Sequence, residues 1–560
     1  MSTLKGAQLL QEPTETIDEA FPLEKRDLLG IRGLIPPHVL TPELQEQRFL
    51  AEFDKETDSM KKFLLLSDLS DRNTHLYYYI VIRHFAKLAP FIYTPHVGAY
   101  CQHYHEIYRP KRCLYYSLDD ENHIDDITAA WPSSRVDVVV VTDGGRILGL
   151  GDLGCNGIGI PIGKLALYCA GAGSDPRYTL PVQIDVGTNN VALRENPLYM
   201  GLHKPRTGGV PYRKFVEKVL LSLHKRFPDA LIQFEDFGIE NAFDLLQEWR
   251  DRILSFNDDI QGTGAVALSA VINAQRARGK TLKDLVHDRI VIAGAGSAAI
   301  GIADAIVAGL VMEGVPKEEA QKIFYIHSVE GLVGKDSPIA TPQQKPYQRQ
   351  DLPYALPLLE TVKAVKPTFL LGVSGAGPLF TEEIVRIAAQ ASEKPIIMPM
   401  SNPTHKAECT LEQAAKWTDG KVIFASGSPF GDIKYVNKSG EEVLVKGNQC
   451  NNMYIFPALG LAASKAHATK VSDGMLYAAS LSLAKQVSEE DAKKGILLPS
   501  LEDPRQFSLE IATDVVLQAL KEEIVLPDVL KQLGCSSTDR NTICAWLNST
   551  MYRPERFFNN

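Results

Sequence analysis

The chain lacks the features that would place it in a membrane, on nucleic acid or in a disulfide framework. No apolar run approaches the roughly 18–20 residues that span a bilayer; Tyr77–Ile82 and Val138–Val141 fall far short. A basic surplus is missing as well. Lys and Arg number 59 against 68 Asp and Glu, a formal charge of −9, which argues against a general nucleic-acid binder. Cysteines are few and scattered (Cys101, Cys113, Cys155, Cys169, Cys409, Cys450, Cys535, Cys544), with no C-x-x-C pair. That excludes the usual zinc-ribbon spacing and fits a reducing compartment. His103 and His105 have no Cys or acid at zinc-site spacing and read as a solvated helix surface. Glu12, Glu15, Asp18 and Glu19 crowd the first twenty positions, unlike an Arg-rich, acid-poor transit peptide, so a cytoplasmic location is expected, with a mitochondrial one left open.

What is present is an ordinary globular composition, 45% hydrophobic and 23% charged over 560 residues, enough for two to four domains and for small-molecule chemistry. Residues 1–110 are expected to form a helical N-terminal domain, with one long helical stretch over Phe63–Leu88 whose Tyr77, Tyr78 and Tyr79 serve the core or a subunit interface. From residue 111 the pattern becomes α/β: a strand in Val136–Thr142, a turn at Asp143-Gly-Gly145 and a further strand from Arg146 to Leu150. A glycine-rich passage to Lys164, a helix over Leu165–Ala170 and a strand over Leu180–Val186 follow. Residues 256–450 hold further strands at Ile323–Ile326, Thr368–Gly372, Ile396–Met400 and Val422–Ala425. Residues 451–525 return to helix, and 526–560 read as a polar tail.

The clearest motif is Arg289-Ile-Val-Ile-Ala293 followed by Gly294-Ala-Gly296-Ser297-Ala298-Ala299-Ile-Gly301 and an apolar helix. Strand, glycine turn and helix follow without a gap, the arrangement that lets a helix N-terminus receive a pyrophosphate. Gly294 permits the turn, Gly296 the approach of the backbone, and Ala299 close packing. The next strand ends in His327-Ser328, with no carboxylate for a ribose hydroxyl until Glu330. Ser328, His327 and Lys345 or Lys335 are therefore expected to receive a 2′-phosphate, giving NADP preference with NAD possible.

Two acidic pairs, Glu235-Asp236 and Asp258-Asp259, sit amid apolar residues. One buried pair alone would suggest ion pairs with arginine. Two pairs near a glycine-rich site favour a hard cation, Mg²⁺ or Mn²⁺. Lys164 lies at an expected helix start, and Arg146 reads as an edge charge or a carboxylate fork.

These pieces together resemble the malic enzyme family over nearly the whole chain. The resemblance runs through Leu28-Leu-Gly-Ile-Arg-Gly-Leu-Ile-Pro36, Tyr93-Thr-Pro95-His-Val-Gly98, Val141-Thr-Asp-Gly-Gly-Arg-Ile-Leu-Gly-Leu-Gly-Asp-Leu-Gly154 and Gly159-Ile-Pro-Ile-Gly-Lys164. It continues through Gln233-Phe-Glu-Asp-Phe237, Phe256-Asn-Asp-Asp-Ile-Gln-Gly-Thr263, Ser401-Asn-Pro-Thr404, Ala425-Ser-Gly-Ser-Pro-Phe430 and Asn451-Asn452. It implies an α/β fold in which a Rossmann-type dinucleotide domain is inserted in a second α/β domain, with a helical N-terminal domain and a C-terminal helical tail. It further implies a homotetramer, a dimer of dimers, that oxidatively decarboxylates L-malate to pyruvate. In this reading Glu235, Asp236 and Asp259 hold the cation, Lys164 is a general base with a lowered pKa, Asp258 orients it, and Tyr93 is the general acid. Arg146 with Asn451 or Asn452 holds substrate carboxylates, and Asn402 contacts the nicotinamide ribose. Thr94 and Ile158-Gly-Ile-Pro161 favour this reading over the related malolactic enzyme. The joint presence of Tyr93, Lys164 and the acids argues against a silent dinucleotide sensor.

Overall fold

A computed structural model of the chain describes residues 4–338 and 340–559. Fourteen strands run through them: β1 Leu114–Ser117, β2 Val138–Thr142, β3 Thr179–Asp185, β4 Leu231–Phe234, β5 Ser255–Asn257, β6 Ile290–Ala293, β7 Phe324–Ser328, β8 Gly331–Leu332, β9 Phe369–Gly372, β10 Ile396–Pro399, β11 Ile423–Ser426, β12 Ile433–Val436, β13 Glu442–Val445 and β14 Asn448–Gln449. The first sheet has the order β1-β3-β2-β4-β5 and the second β14-β11-β10-β9-β6-β7-β8; β12 and β13 form a separate hairpin. The first sheet is parallel throughout, and the second is parallel except for β8.

Parallel strands are covered on both faces, which is why β2 reads Val-Val-Val-Val rather than alternating with polar residues. Val138 and Val140 enter one core, Val139 and Val141 another. The second sheet divides the same way: Ile290 and Ile292 join the core that holds Val138, while Val291 and Ala293 pack on the far side. One face of each sheet therefore shares a single core, together with the helices Gly159–Ala172, Thr263–Ala277, Ser297–Met312 and Phe456–Lys465.

Strand order positions the site. Connections leave to opposite sides from β2 and β4 in the first sheet and from β6 and β9 in the second, and a ligand crevice opens at the carboxyl ends beside such a switch. Both sets of carboxyl ends contribute to one cavity of about 160 Å³.

Several expectations are corrected. The stretch Phe63–Leu88 is not one helix. Helices Ser59–Arg72, Thr74–Arg83 and Phe85–Ile92 are separated at Asn73, whose side chain caps the next helix by accepting from Leu76 N, and at His84. Arg146–Leu150 is a loop, because Leu148 adopts a left-handed φ of 48° and Gly151 one of 83°. Lys164 is not at a helix start; its helix begins five residues earlier, at Gly159. His105 is buried between the side chains of Asn156 and Asn196 rather than solvated. The C-terminal stretch is no simple polar tail. Helices Pro527–Gln532, Arg540–Thr550 and Glu555–Phe558 bury Trp546, Leu547, Met551 and Tyr552. The aromatic run Tyr77–Tyr79, read as core or subunit interface, is buried within the chain.

Candidate active site

β4 ends in Phe234 and delivers Glu235 and Asp236 directly; β5 ends in Asn257 and delivers Asp258 and Asp259. The turn after β5 is a π-helical turn, Asp258–Gly262, held by Asn257 Oδ1, which accepts from Ile260 N (3.0 Å), and by Gln261 Oε1, which accepts from Asn257 N (2.9 Å). Gly262 is required there, since a Cβ would lie 1.8 Å from Asp258 Oδ1. Carboxylate oxygens of Glu235, Asp236 and Asp259 lie within 4.8 Å of one another. Asp236 occupies a left-handed φ of 54°, fixed by hydrogen bonds from its amide to Asp259 Oδ2 (2.7 Å) and from Leu148 N to its Oδ1 (3.3 Å). Its Oδ2 is buried without a hydrogen-bond partner, as is Asp258 Oδ1. Burial, followed by the neighbouring carboxylates, pushes Asp236 well above the usual carboxylate range, and burial lifts Asp259 to about 6. Burial also raises Glu235, with Lys164 opposing.

Lys164 is 1% exposed and reaches this cluster from the middle of its helix. Its Nζ pairs with Asp258 Oδ2 and lies 3.0 Å from Glu235 Oε1. The rings of Phe456 and Tyr93 stand 4.4 Å and 5.1 Å away. A lowered lysine pKa was expected, and the geometry gives the opposite. Burial disfavours the charge, but Asp258 and Glu235 outweigh it and hold the ammonium protonated, well above its ordinary value. Tyr93 OH donates to Glu235 Oε1 across 3.5 Å, and burial keeps the phenol protonated.

Sequence reading missed the supports of this cluster. Gln233 Nε2 donates to Glu235 Oε2 (2.6 Å), and Tyr168 OH donates to Gln233 in turn. Positions 233 and 235 share a strand face, so the two-residue alternation within Gln233-Phe-Glu235 carried that signal. Asn452 Nδ2 donates to Asp258 Oδ2 (2.9 Å) and Thr263 Oγ1 (3.0 Å), and Asn451 Nδ2 to Thr94 Oγ1 (3.1 Å). Both asparagines line the cavity with their amides already engaged. The Arg146 guanidinium, also lining it, has no hydrogen-bonding acid among the described residues.

The glycine turn faces the same cavity through Gly296, Ser297 and Ala298. Gly294 has φ 136°, and a Cβ there would meet Val373 O at 2.9 Å. Ser297 Oγ, in the first turn of the helix Ser297–Met312, is buried and unpartnered, and that helix end offers free amides to an anion. Ala299 is buried, and at Gly301 a Cβ would lie 2.1 Å from Ile260 O. At the strand end, burial holds His327 down to about 4, so it brings no positive charge. Ser328 Oγ donates to Glu330 Oε2 (3.1 Å). Lys345 is exposed and follows Gln344, whose Nε2 donates to Ala295 O within the glycine turn (3.0 Å). Asn402 lines the cavity, accepts from Ser428 Oγ (2.7 Å), and through its carbonyl accepts from Gly149 N (3.2 Å), tying the two sheet units together.

Comparison with known proteins agrees with this arrangement. Residues 70–250 match the family described as Malic enzyme, N-terminal domain, and residues 260–520 match Malic enzyme, NAD binding domain. The hydrogenosomal malic enzyme of Neocallimastix frontalis is 41% identical over 98% of this chain and 91% of its own. The NADP-dependent malic enzyme of Dictyostelium discoideum is 42% identical over 94% and 97%, and the NAD-dependent malic enzyme of Acinetobacter baylyi 42% over 93% and 92%. Crystal structures of malic enzymes from Pyrococcus horikoshii and Entamoeba histolytica share the fold, with TM-scores of 0.55 and 0.54 at 20% and 21% identity. They cover 82% of this chain in each case, and 88% and 86% of their own. With near-complete coverage at this identity, and both family domains matched in order, the chain belongs to the malic enzyme family.

Proposed function

We propose that the chain oxidatively decarboxylates L-malate to pyruvate and CO₂ while reducing a nicotinamide dinucleotide, NADP in preference to NAD, and depends on Mg²⁺ or Mn²⁺. The observation that carries this reading is the convergence of Lys164, Tyr93 and three clustered carboxylates on the cavity that the glycine turn also lines.

The acid cluster fits a hard divalent cation. Glu235, Asp236 and Asp259 would hold it, and the unpartnered Asp236 Oδ2 is a ligand oxygen awaiting a charge. When bound, a divalent cation supplies Lewis-acid charge that draws electron density from the substrate's C1 carboxylate and C2 oxygen. Arg146 supplies a fork for a substrate carboxylate. Lys164 Nζ, as the free amine, takes the C2 hydroxyl proton while the C2 hydrogen leaves as hydride to the nicotinamide ring. Freeing that amine requires the pull of Glu235 and Asp258 to be countered, and a cation held by Glu235, Asp236 and Asp259 would supply the opposing positive charge. Loss of CO₂ from the ketoacid leaves an enolate, Tyr93 OH gives its proton to the enolate carbon, and the Lys164 ammonium, holding the proton taken from the C2 hydroxyl, returns one to the phenolate.

NADP preference rests on Lys345, held beside the glycine turn through Gln344, against the opposing carboxylate of Glu330. Exposed Leu23, Leu28 and Leu34 in the N-terminal region support assembly into a homotetramer, and eight unpaired cysteines support work in the cytoplasm. Among the described residues no helix is long and apolar enough to cross a membrane.

The test is absorbance of the reduced nicotinamide with purified protein, L-malate and Mn²⁺, run with NADP and with NAD, with and without chelator. A chelator-sensitive rise is expected. A flat trace with both cofactors overturns the reading, and lactate appearance in that case would point to malolactic chemistry.

A further inference from the structure

Glu408 stands outside every set of residues assigned a role above, and it is completely buried. Among the described residues no cation pairs with it. Its Oε1 accepts three hydrogen bonds, from Ser374 N (3.0 Å), Ser374 Oγ (2.7 Å) and Ser401 Oγ (2.5 Å). Its Oε2 is buried without a hydrogen-bond partner. Burying a carboxyl group on hydrogen bonds alone is costly, and the chain has built a seat for it. Gly372, the last residue of β9, leaves the space: a Cβ there would lie 2.3 Å from Glu408 Cδ. The Glu408 carbonyl fixes the other end of the residue by accepting from Leu379 N and Phe380 N, both at 3.0 Å.

The two serines pass this anchoring on. Ser401 Oγ accepts from Gly375 N (2.9 Å) and Ser374 Oγ from Ala376 N (3.1 Å). Each hydroxyl proton is directed at Glu408, and each oxygen at an amide of the turn after β9. One carboxyl group thereby locks the turn after β9 to the turn after β10. Those turns supply Val373, Gly375, Met400, Ser401 and Asn402 to the cavity that Gly296, Ser297 and Lys164 also line. A dinucleotide whose phosphates sit at Ser297 and whose reactive ring meets a substrate at Lys164 lies within this shared lining.

We propose that Glu408 is a positioning residue for the nicotinamide ring, acting through Ser374 and Ser401 without touching substrate or cofactor; this rests on the reading that the cavity carries malate-dependent dinucleotide reduction. Hydride transfer is sensitive to small displacements, with about 1 Å of misplacement costing on the order of a hundredfold.

The test uses Glu408→Gln, Ser401→Ala and their double variant in the full-length enzyme. It measures KM for each substrate, affinity for oxidised dinucleotide by fluorescence, and the primary isotope effect with malate deuterated at C2. In each single variant the dinucleotide KM should rise about tenfold and the isotope effect should increase, with the malate KM within about twofold of wild type. The double variant should be no worse than the poorer single, because both act along one path. A merely structural role would lower thermal stability and leave the isotope effect and the ratio of the two KM values unmoved. That outcome in both single variants, or additive effects in the double, overturns the proposal. If Glu408→Gln does not fold, Ser401→Ala and Ser374→Ala carry the same measurements. Should the wild-type enzyme reduce neither dinucleotide with malate, the functional reading fails instead, and dinucleotide affinity alone decides the role of Glu408.

Discussion

Gly301 and Ile260 touch so closely that a Cβ on the glycine would lie 2.1 Å from the Ile260 carbonyl oxygen. Ile260 belongs to the turn that carries Asp258 and Asp259, and Gly301 to the helix that begins at the glycine turn. The missing side chain therefore brings the helix that follows the glycine turn against the acid-bearing turn. Gly301→Ala should cost about 1–3 kcal/mol of stability, as overpacking of a close contact does. It should also raise the KM for dinucleotide and for divalent cation together. Thermal unfolding and steady-state kinetics check both, and a rise in only one of the two KM values would count against the coupling.

Among the described residues Lys164 is the cation that pairs with both buried acids, Asp258 and Glu235. Lys164→Met should lower kcat by roughly 10²–10⁴-fold, the range of a lost general base, with dinucleotide affinity nearly unchanged. It also leaves Asp258 and Glu235 buried without their partner, a loss of about 3–5 kcal/mol. Mn²⁺ should return part of that loss, so the variant's melting temperature should respond to the ion more strongly than the wild type's. Calorimetry with and without Mn²⁺ reads this out.

In the proposed reading cofactor choice turns on two exposed side chains of opposite sign, Lys345 and Glu330. Lys345→Gln should reduce kcat/KM for NADP about tenfold and leave NAD nearly untouched, since one charge–phosphate contact is worth about 1.4 kcal/mol or more. Glu330→Gln should shift the ratio the other way, by releasing Ser328 and removing a repelling carboxylate. Equal effects of Lys345→Gln on both cofactors would remove this residue from 2′-phosphate recognition.

His75 joins the two ends of the chain. Its Nε2 donates to Thr14 O (2.8 Å), its Nδ1 accepts from Tyr552 OH (2.7 Å), and its ring stacks on Phe557 at 3.6 Å. Burial lowers its pKa from 6.5 to about 4. The unfolded chain therefore takes up the proton first as the solution is acidified. The stability His75 contributes is complete above pH 6.5 and is lost as pH falls toward 4, by up to roughly 3 kcal/mol. Denaturant unfolding across that window should show a one-proton dependence that His75→Gln abolishes.

Sequence by itself determined which motifs are present and the family they resemble. The glycine turn between strand and helix and the two acid pairs were legible because local rules fix them: a tight turn needs glycine, and a parallel strand buried on both faces needs an unbroken apolar run, so acids at its end stand out; Lys164 and Tyr93 were singled out only by the family resemblance of the motifs that hold them. The α/β class and the helical N-terminal region followed from periodicity. Tertiary structure decided what depends on partners distant in the chain. The state of Lys164 is set by Asp258, 94 residues away, so a lysine read as a lowered-pKa base is held protonated instead. Asn452 engages Asp258, and Asn451 engages Thr94. Residues 527–558 read as polar because short helices need bury only a few side chains, and the burial of Tyr552 against His75 has no local signature. Glu408 resembled any acid before a helix, since only the meeting of two strand ends over Gly372 makes its carboxyl group the joint between them. Spacing fixes which side chains are available; packing fixes which charges and hydroxyls they meet, and with that their protonation and their work.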